Sequence, residues 1–312
     1  MKRKLILLGV AWLCAMTASS QSEGRYTQIF NGSDLTGWNF LKPGGFEVEK
    51  GELVTRSEGN GFDIYTAKQY GNFIFRFEFL LSDVGNSGVF IRTNPLELGT
   101  GFEVQLLAPW TPYRDDLHCT GSLYGHVAVK NRPDETTGKW YQMEIRCERE
   151  LVTVLVDGQV VTLARIDTVK SLAGKPVSGY IGFQANHSPK KEQFAKFRNI
   201  TILDLDADED YVLKGFSETS GPMRKHTLES AAALGAPMVE PLARLMIDSN
   251  PAAREGARQV LFDIVARATA PGSDPEIKKE VGKALKKSIK GNKEREAVDY
   301  LRRLYAMVNW GG

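Results

Sequence analysis

The sequence predicts an all-β jelly-roll sandwich followed by a small all-α helical domain. Three observations carry this expectation. Apolar residues alternate with polar ones through residues 26 to about 204, the period of strands with one buried face. The strand-like runs are short and separated by glycine-rich turns, the pattern of sandwiches and jelly rolls. After an acidic stretch the period changes to that of helices. The boundaries read as a leader over 1–20, a β-sandwich over 21–204, a linker over 205–221 and a helical domain over 222–312.

The chain opens with the pattern of a secretory signal peptide. Lys2, Arg3 and Lys4 form a basic start, Leu5 to Thr17 is an apolar run, and Ala18-Ser19-Ser20 offers small residues for cleavage. The apolar run is shorter than the ~20 residues that a membrane span requires. The expected location is therefore periplasmic or secreted, without membrane insertion once the leader is removed. Loss of the three basic residues turns the formal charge from +2 to −1. Residues 221–312 carry 16 Lys/Arg against 11 Asp/Glu, and residues 21–220 carry 21 against 27. Export argues against a nucleic-acid partner for the basic half, and solvated helix faces account for its charge. Cys119 and Cys147 are the cysteines beyond the leader. Their spacing matches no metal motif, and two separate thiols are expected.

Along the β half, Phe73, Phe75, Phe77 and Phe79 alternate with Ile74, Arg76 and Glu78. Val152, Val154 and Val156 lead into Asp157-Gly158, a tight hairpin turn before Gln159. Gly179 to Gln184 and Phe197 to Leu203 are further strands. Two strands concern function most. In Gly88-Val89-Phe90-Ile91-Arg92, Val89 and Ile91 oppose Phe90 and Arg92. In Gly101 to Leu107, Phe102, Val104 and Leu106 oppose Glu103, Gln105 and Leu107. If the apolar sets share one core, then Arg92, Glu103 and Gln105 share the opposite, concave face, with Asp63 and Tyr124 close by. A carboxylate, an amide and a guanidinium beside aromatics suit a sugar-binding groove, and an ordinary solvated sheet face has the same composition. Residues 205–221 read as an acidic linker. Beyond it, Ala257, Val260, Leu261, Ile264 and Val265 make one helical stripe; Ile277, Val281, Leu285 and Ile289 make another; Val298, Leu301, Leu304, Tyr305 and Val308 make a third. Asn250-Pro251 and Asp274-Pro275 are helix starts, a cap followed by proline at the first position. The segment around Gly235 to Leu261 resembles a HEAT-type repeat, which implies a protein partner; a small helical bundle is the alternative.

Seven segments in order resemble the 3-keto-disaccharide hydrolase domain family. They are Phe30-Asn31-Gly32-Ser33-Asp34-Leu35-Thr36-Gly37-Trp38; Phe62-Asp63-Ile64-Tyr65-Thr66 with Tyr70-Gly71-Asn72-Phe73; Gly85-Asn86-Ser87-Gly88-Val89-Phe90-Ile91-Arg92; Phe102-Glu103-Val104-Gln105; Thr120-Gly121-Ser122-Leu123-Tyr124; Gly179 to Gln184; and Phe197-Arg198-Asn199-Ile200. The resemblance implies a concanavalin-like jelly roll and an oligosaccharide or glycoside substrate whose sugar carries a ketone at carbon 3. Such a ketone acidifies the hydrogen on carbon 2. One base, donors for the enolate oxygen and a proton for the leaving group then suffice. The jelly-roll glucanase pattern E-x-D-x-x-E is absent: Gln105 replaces its Asp and Ala108 its second Glu. Ala108 also stands where many keto-sugar family members carry Asp.

On this reading Glu103 is the general base, with Asp63 and His187 as further acid–base candidates. Arg92, Gln105, Asn86, Tyr124 and Gln184 form the substrate-binding set. The plainer readings are a surface Glu103–Arg92 ion pair, a turn role for Asp63, and packing roles for Tyr124, Trp110, His118, His126 and His187. Trp38 reads as core. No cofactor is implied with certainty; a divalent ion such as calcium suits lectin-like folds, although no ligand loop here is diagnostic. The alternative function is a non-catalytic carbohydrate-binding module carrying a partner-binding helical domain.

Overall fold

A computed structural model of the chain describes residues 25–56, 62–97, 99–110, 114–185 and 192–310. The leader and His187 lie outside the described residues. The chain divides into two compact units at Asp204/Leu205.

The first unit is the jelly-roll sandwich. Its thirteen described strands are β1 (Thr27–Gln28), β2 (Trp38–Phe40), β3 (Phe46–Glu49), β4 (Glu52–Thr55), β5 (Ile64–Thr66), β6 (Phe73–Leu81), β7 (Asn86–Thr93), β8 (Phe102–Leu107), β9 (Trp140–Glu148), β10 (Leu151–Val156), β11 (Gln159–Arg165), β12 (Tyr180–Phe183) and β13 (Ala195–Asp204). One sheet runs β11-β10-β9-β6-β13-β4-β3, with β1 added on β13; the other runs β2-β5-β12-β7-β8. The pairings are antiparallel.

Strict alternation builds the layer between the sheets. On β6 the buried residues are Phe73, Phe75, Phe77, Phe79 and Leu81. Phe183 of the smaller sheet meets Phe75, Phe77 and Phe197 of the larger one, with ring centroids 5.9, 5.2 and 4.1 Å apart. Each such ring contributes roughly 2–3 kcal/mol by leaving water. Asp157 and Gly158 both take positive φ, 46° and 77°, as a two-residue hairpin between β10 and β11 requires. The outer edge of β8 is covered by the segment that follows it. Gln105 donates its N–H to Ser122 O (3.1 Å), Gly121 to Gln105 O (2.9 Å) and Tyr124 to Glu103 O (2.9 Å), so this edge is not open for pairing. Cys119 and Cys147 are both buried and free.

The described residues of the second unit form six α-helices: α1 (Glu209–Glu218), α2 (Gly221–Leu234), α3 (Val239–Leu245), α4 (Pro251–Ala268), α5 (Pro275–Gly291) and α6 (Arg295–Asn309). Asn250 caps α4 by accepting from Ala252 N and Ala253 N, and Asp274 caps α5 by accepting from Glu276 N. The expectation of a linker over 205–221 is corrected here. Leu205–Ala207 is a 3-10 turn, and Asp208 caps α1 by accepting from Tyr211 N at 2.8 Å. The acidic residues sit at the cap and first turn of α1, where the helix dipole favours negative charge. Val212 and Phe216, four apart, bury themselves in the helical core. Among the described residues no helix is long and apolar enough to cross a membrane.

Candidate active site

The outer face of the five-stranded sheet brings several of the polar candidates together. Register places Asn39, Tyr65, Gly182, Phe90 and Glu103 in one row across β2, β5, β12, β7 and β8. In the next row Gly88 faces Gln105, and Gln184 donates its N–H to Gly88 O at 2.8 Å. Asn86 faces Leu107 one row further on. Residues two apart on a strand share a face, so Asn86, Gly88 and Phe90 stand with Glu103 and Gln105. Their neighbours Val89, Val104 and Leu106 belong to the sandwich core.

Two glycines shape this face. A Cβ at Gly182 would meet Tyr65 Cδ1 at 2.5 Å, and the Tyr65 ring stacks on Phe90 with centroids 6.2 Å apart. A Cβ at Gly88 would overlap the Glu103 carboxyl group. Glu103 therefore lies down over Gly88 instead of standing out into water. Its Oε1 is buried without a hydrogen-bond partner. Burial first, and the Asp63 charge second, push the Glu103 carboxyl up to about 8. Asp63 itself is held in place: Oδ1 accepts from Ala185 N at 2.8 Å, and Oδ2 accepts from the Tyr65 hydroxyl at 3.2 Å. Burial, then Asp63, raises the Tyr65 phenol. Tyr65 is thus a donor at neutral pH.

The amides complete the set. Gln105 Oε1 accepts from Leu106 N at 3.0 Å, which leaves its NH2 group to donate. Asn86 Oδ1 is buried without a partner. A buried oxygen left unpaired costs about 1–3 kcal/mol, and this face carries two of them.

Arg92 is not part of this face, which corrects the phase argument from sequence. Between Phe90 and Thr93, β7 takes one more step than β12 does, so the register shifts. Arg92 adopts φ 51° in that bulge, and the alternation reverses. Its side chain is fully buried. Nε and Nη2 donate to Gly71 O at 2.9 and 2.6 Å, and Nη2 donates to Arg149 O at 2.9 Å. Those carbonyls flank β6 and β9 of the other sheet, so Arg92 ties the two sheets together. Glu103 forms no ion pair among the described residues.

Tyr124 stands beside the face through its backbone contact with Glu103. Its ring is exposed and meets His118 edge-on at 4.9 Å. His118 Nδ1 lies 2.7 Å from Asp115 Oδ1, and His126 Nδ1 lies 2.8 Å from Ser171 Oγ. Trp110 is half-exposed; Trp38 is core, with its indole N–H donating to Ile29 O at 2.9 Å. Ala108 is buried in the sandwich core, so position 108 takes nothing away from the outer face. Among the described residues no three His, Cys, Asp or Glu side chains gather as a metal site. Sequence reasoning missed Tyr65 and the space left by Gly88 and Gly182. The signal for Tyr65 was its spacing of two from Asp63.

The raised carboxyl has a measurable consequence. Between about 4.5 and 8 the folded chain keeps a proton on Glu103 that the unfolded chain gives up. Stability from this group is therefore present below 4.5 and is lost as pH rises to 8. Denaturant unfolding should lose a few kcal/mol over this range, at about 1.4 kcal/mol per pH unit at most. Glu103→Gln should flatten that slope; an unchanged slope would place the proton elsewhere. Gly88→Ala is expected to lift the carboxyl group into water and lower its pKa by at least about one unit, read by carboxyl-carbon NMR titration.

The comparisons with known proteins agree with this architecture. The 3-keto-alpha-glucoside-1,2-lyase-like domain family matches residues 25–203. The chain belongs to this family. Two solved structures of provisionally assigned glycosyl hydrolases from Parabacteroides distasonis ATCC 8503 share the fold of the β unit. One is 24% identical over 59% of this chain and 96% of its own, with a TM-score of 0.50; the other is 23% identical over 57% and 98%, also at 0.50. A carbohydrate-binding module, CBM66 from Bacillus subtilis, is 17% identical over 54% of this chain and 96% of its own, at 0.39. No curated protein matches the chain. The lyase-like domain accounts for the β unit, and the helical unit lies outside it.

Proposed function

We propose that the β unit cleaves 3-keto-glycosides by elimination, with Glu103 as the base. The observation that carries this reading is the Glu103 carboxylate: buried over Gly88, unpaired at Oε1 and raised to about 8, on the same face as Asp63. Ionised Glu103 takes the hydrogen from carbon 2, and the bonding pair moves onto the carbon-3 carbonyl oxygen as an enolate. The enolate then re-forms the carbonyl, makes the carbon-1–carbon-2 double bond and expels the aglycone oxygen from carbon 1. Glu103 then returns its proton to that oxygen, directly or through water, and is regenerated as the base. Addition of water across the new double bond would complete a net hydrolysis.

The neighbouring groups suit these steps. The Gln105 NH2 group and the amides of Asn86 and Gln184 offer donors for the enolate oxygen and sugar hydroxyls. The Tyr65–Phe90 pair offers an apolar surface for a sugar ring. A base with a pKa of about 8 is stronger than an ordinary carboxylate, but only about a tenth is ionised at pH 7. Accordingly kcat/KM should rise with pH and level off above about 8.

Export belongs to this proposal, supported by the basic, apolar and small-residue pattern of residues 1–20. So does a partner-binding, HEAT-like role for the helical unit, supported by the pairing of α1 with α2, α3 with α4 and α5 with α6.

The stacked aromatic pair also favours a second reading, a carbohydrate-binding module without turnover. Incubation with a 3-keto-glycoside and its unoxidised parent separates the two. Release of aglycone from the ketone alone supports elimination. Binding of both without release supports the module.

A further inference from the structure

We propose that the groove between α5 and α6 binds a uronate-bearing polysaccharide strand. The groove has a volume of about 450 Å³ and is lined by Lys278, Lys279, Lys283 and Lys286 on α5 and by Tyr305 and Asn309 on α6. Gly282 and Val308 form its floor: a Cβ at Gly282 would stand 3.3 Å from Val308 Cγ1, so the helices approach closely there.

The charge of this groove is not balanced from within. Lys279 pairs with Glu276, whereas Lys278, Lys283 and Lys286 form no ion pair among the described residues. The next lysine, Lys287, pairs with Glu240 of α3, outside the groove. From Val281 to Lys293 the sequence has five lysines and no acid. The helix dipole does not explain the arrangement, because Lys278 and Lys279 lie near the N-terminal end of α5, where positive charge is disfavoured. Lysines three and four apart also repel one another on a helix. A bound polyanion would relieve both costs.

The spacing points to one charge per sugar. Between the unpaired Lys283 and Lys286 the axis rises about 4.5 Å, close to the length of one sugar in an extended chain. On the opposite wall Tyr305 offers a ring to a sugar face, and Asn309 an amide to its hydroxyls. The choice of a glycan over other polyanions rests on the carbohydrate reading of the β unit; the charge of the groove does not.

The test is equilibrium binding of the full chain to polygalacturonate, beside neutral dextran, double-stranded DNA and phosphatidylglycerol vesicles, at low and at physiological salt. Polygalacturonate is expected to bind, dextran not to bind, and DNA and vesicles to bind more weakly than polygalacturonate. The double variant Lys283→Glu/Lys286→Glu, shown to be folded by circular dichroism, should weaken polygalacturonate binding by at least about tenfold. Gly282→Leu, which fills the floor while keeping every charge, should weaken it as well. The proposal is overturned by no binding, by tighter binding of DNA or vesicles, or by undiminished binding in the charge variant. Turnover of a 3-keto-glycoside by the wild-type chain is measured separately. Turnover without polygalacturonate binding removes only the groove proposal; lysine-dependent binding without turnover removes only the elimination reading.

Discussion

Glu103→Gln should abolish release of aglycone from a 3-keto-glycoside, by about 10²–10⁴-fold in kcat, while sugar binding stays within a few-fold of wild type. The substitution keeps the size of the side chain and removes its basicity. It also removes the charge that burial over Gly88 and the proximity of Asp63 make costly, so the variant should be at least as stable as wild type near pH 8. Loss of activity with gain of stability is a signature that a merely structural glutamate would not give. Single-turnover rates and binding of the unoxidised parent sugar read the two effects separately. Activity within threefold of wild type would move the base elsewhere, to Asp63 first and then to His187, which lies outside the described residues.

Arg92→Ala should have the opposite profile, a large loss of stability with little change in turnover by the molecules that remain folded. The guanidinium is fully buried and donates to Gly71 O and Arg149 O on the opposing sheet. Alanine removes the donors to both carbonyls and leaves a cavity where, among the described residues, the largest fully buried side chain stood. The lost charge-assisted hydrogen bonds and the cavity together cost about 2–5 kcal/mol. Lysine could reach only part of the set, so Arg92→Lys should fall in between. Urea unfolding of both variants gives the stability change. A stable Arg92→Ala chain with turnover reduced a hundredfold would restore Arg92 to the substrate-binding face and contradict the bulge geometry.

Much of this protein was legible in the sequence because a strand repeats every two residues and a helix every 3.6. The phenylalanines of β6, the Asp157-Gly158 hairpin, and the Asn250-Pro251 and Asp274-Pro275 helix starts are local signals, and each appears where its spacing placed it. The same period set Glu103, Gln105, Asn86 and Phe90 on one face. Composition misled over residues 205–221, where acidic residues at a helix start concealed the Val212 and Phe216 stripe of α1.

Tertiary structure alone decided the rest. A single extra residue in β7 turns Arg92 inward, and no periodicity announces a bulge, because it depends on what the neighbouring strand β12 does. Gly88 and Gly182 matter for the room they leave to Glu103 and Tyr65, side chains on other strands. The raised Glu103 carboxyl depends on burial and on Asp63, three strands away across β12 and β7, and both are long-range consequences of sheet order. Sequence determined which residues each strand presents. Sheet assembly decided which of them meet, since a pKa, a buried orphan oxygen and an inter-sheet tie belong to pairs of distant segments and to no segment alone.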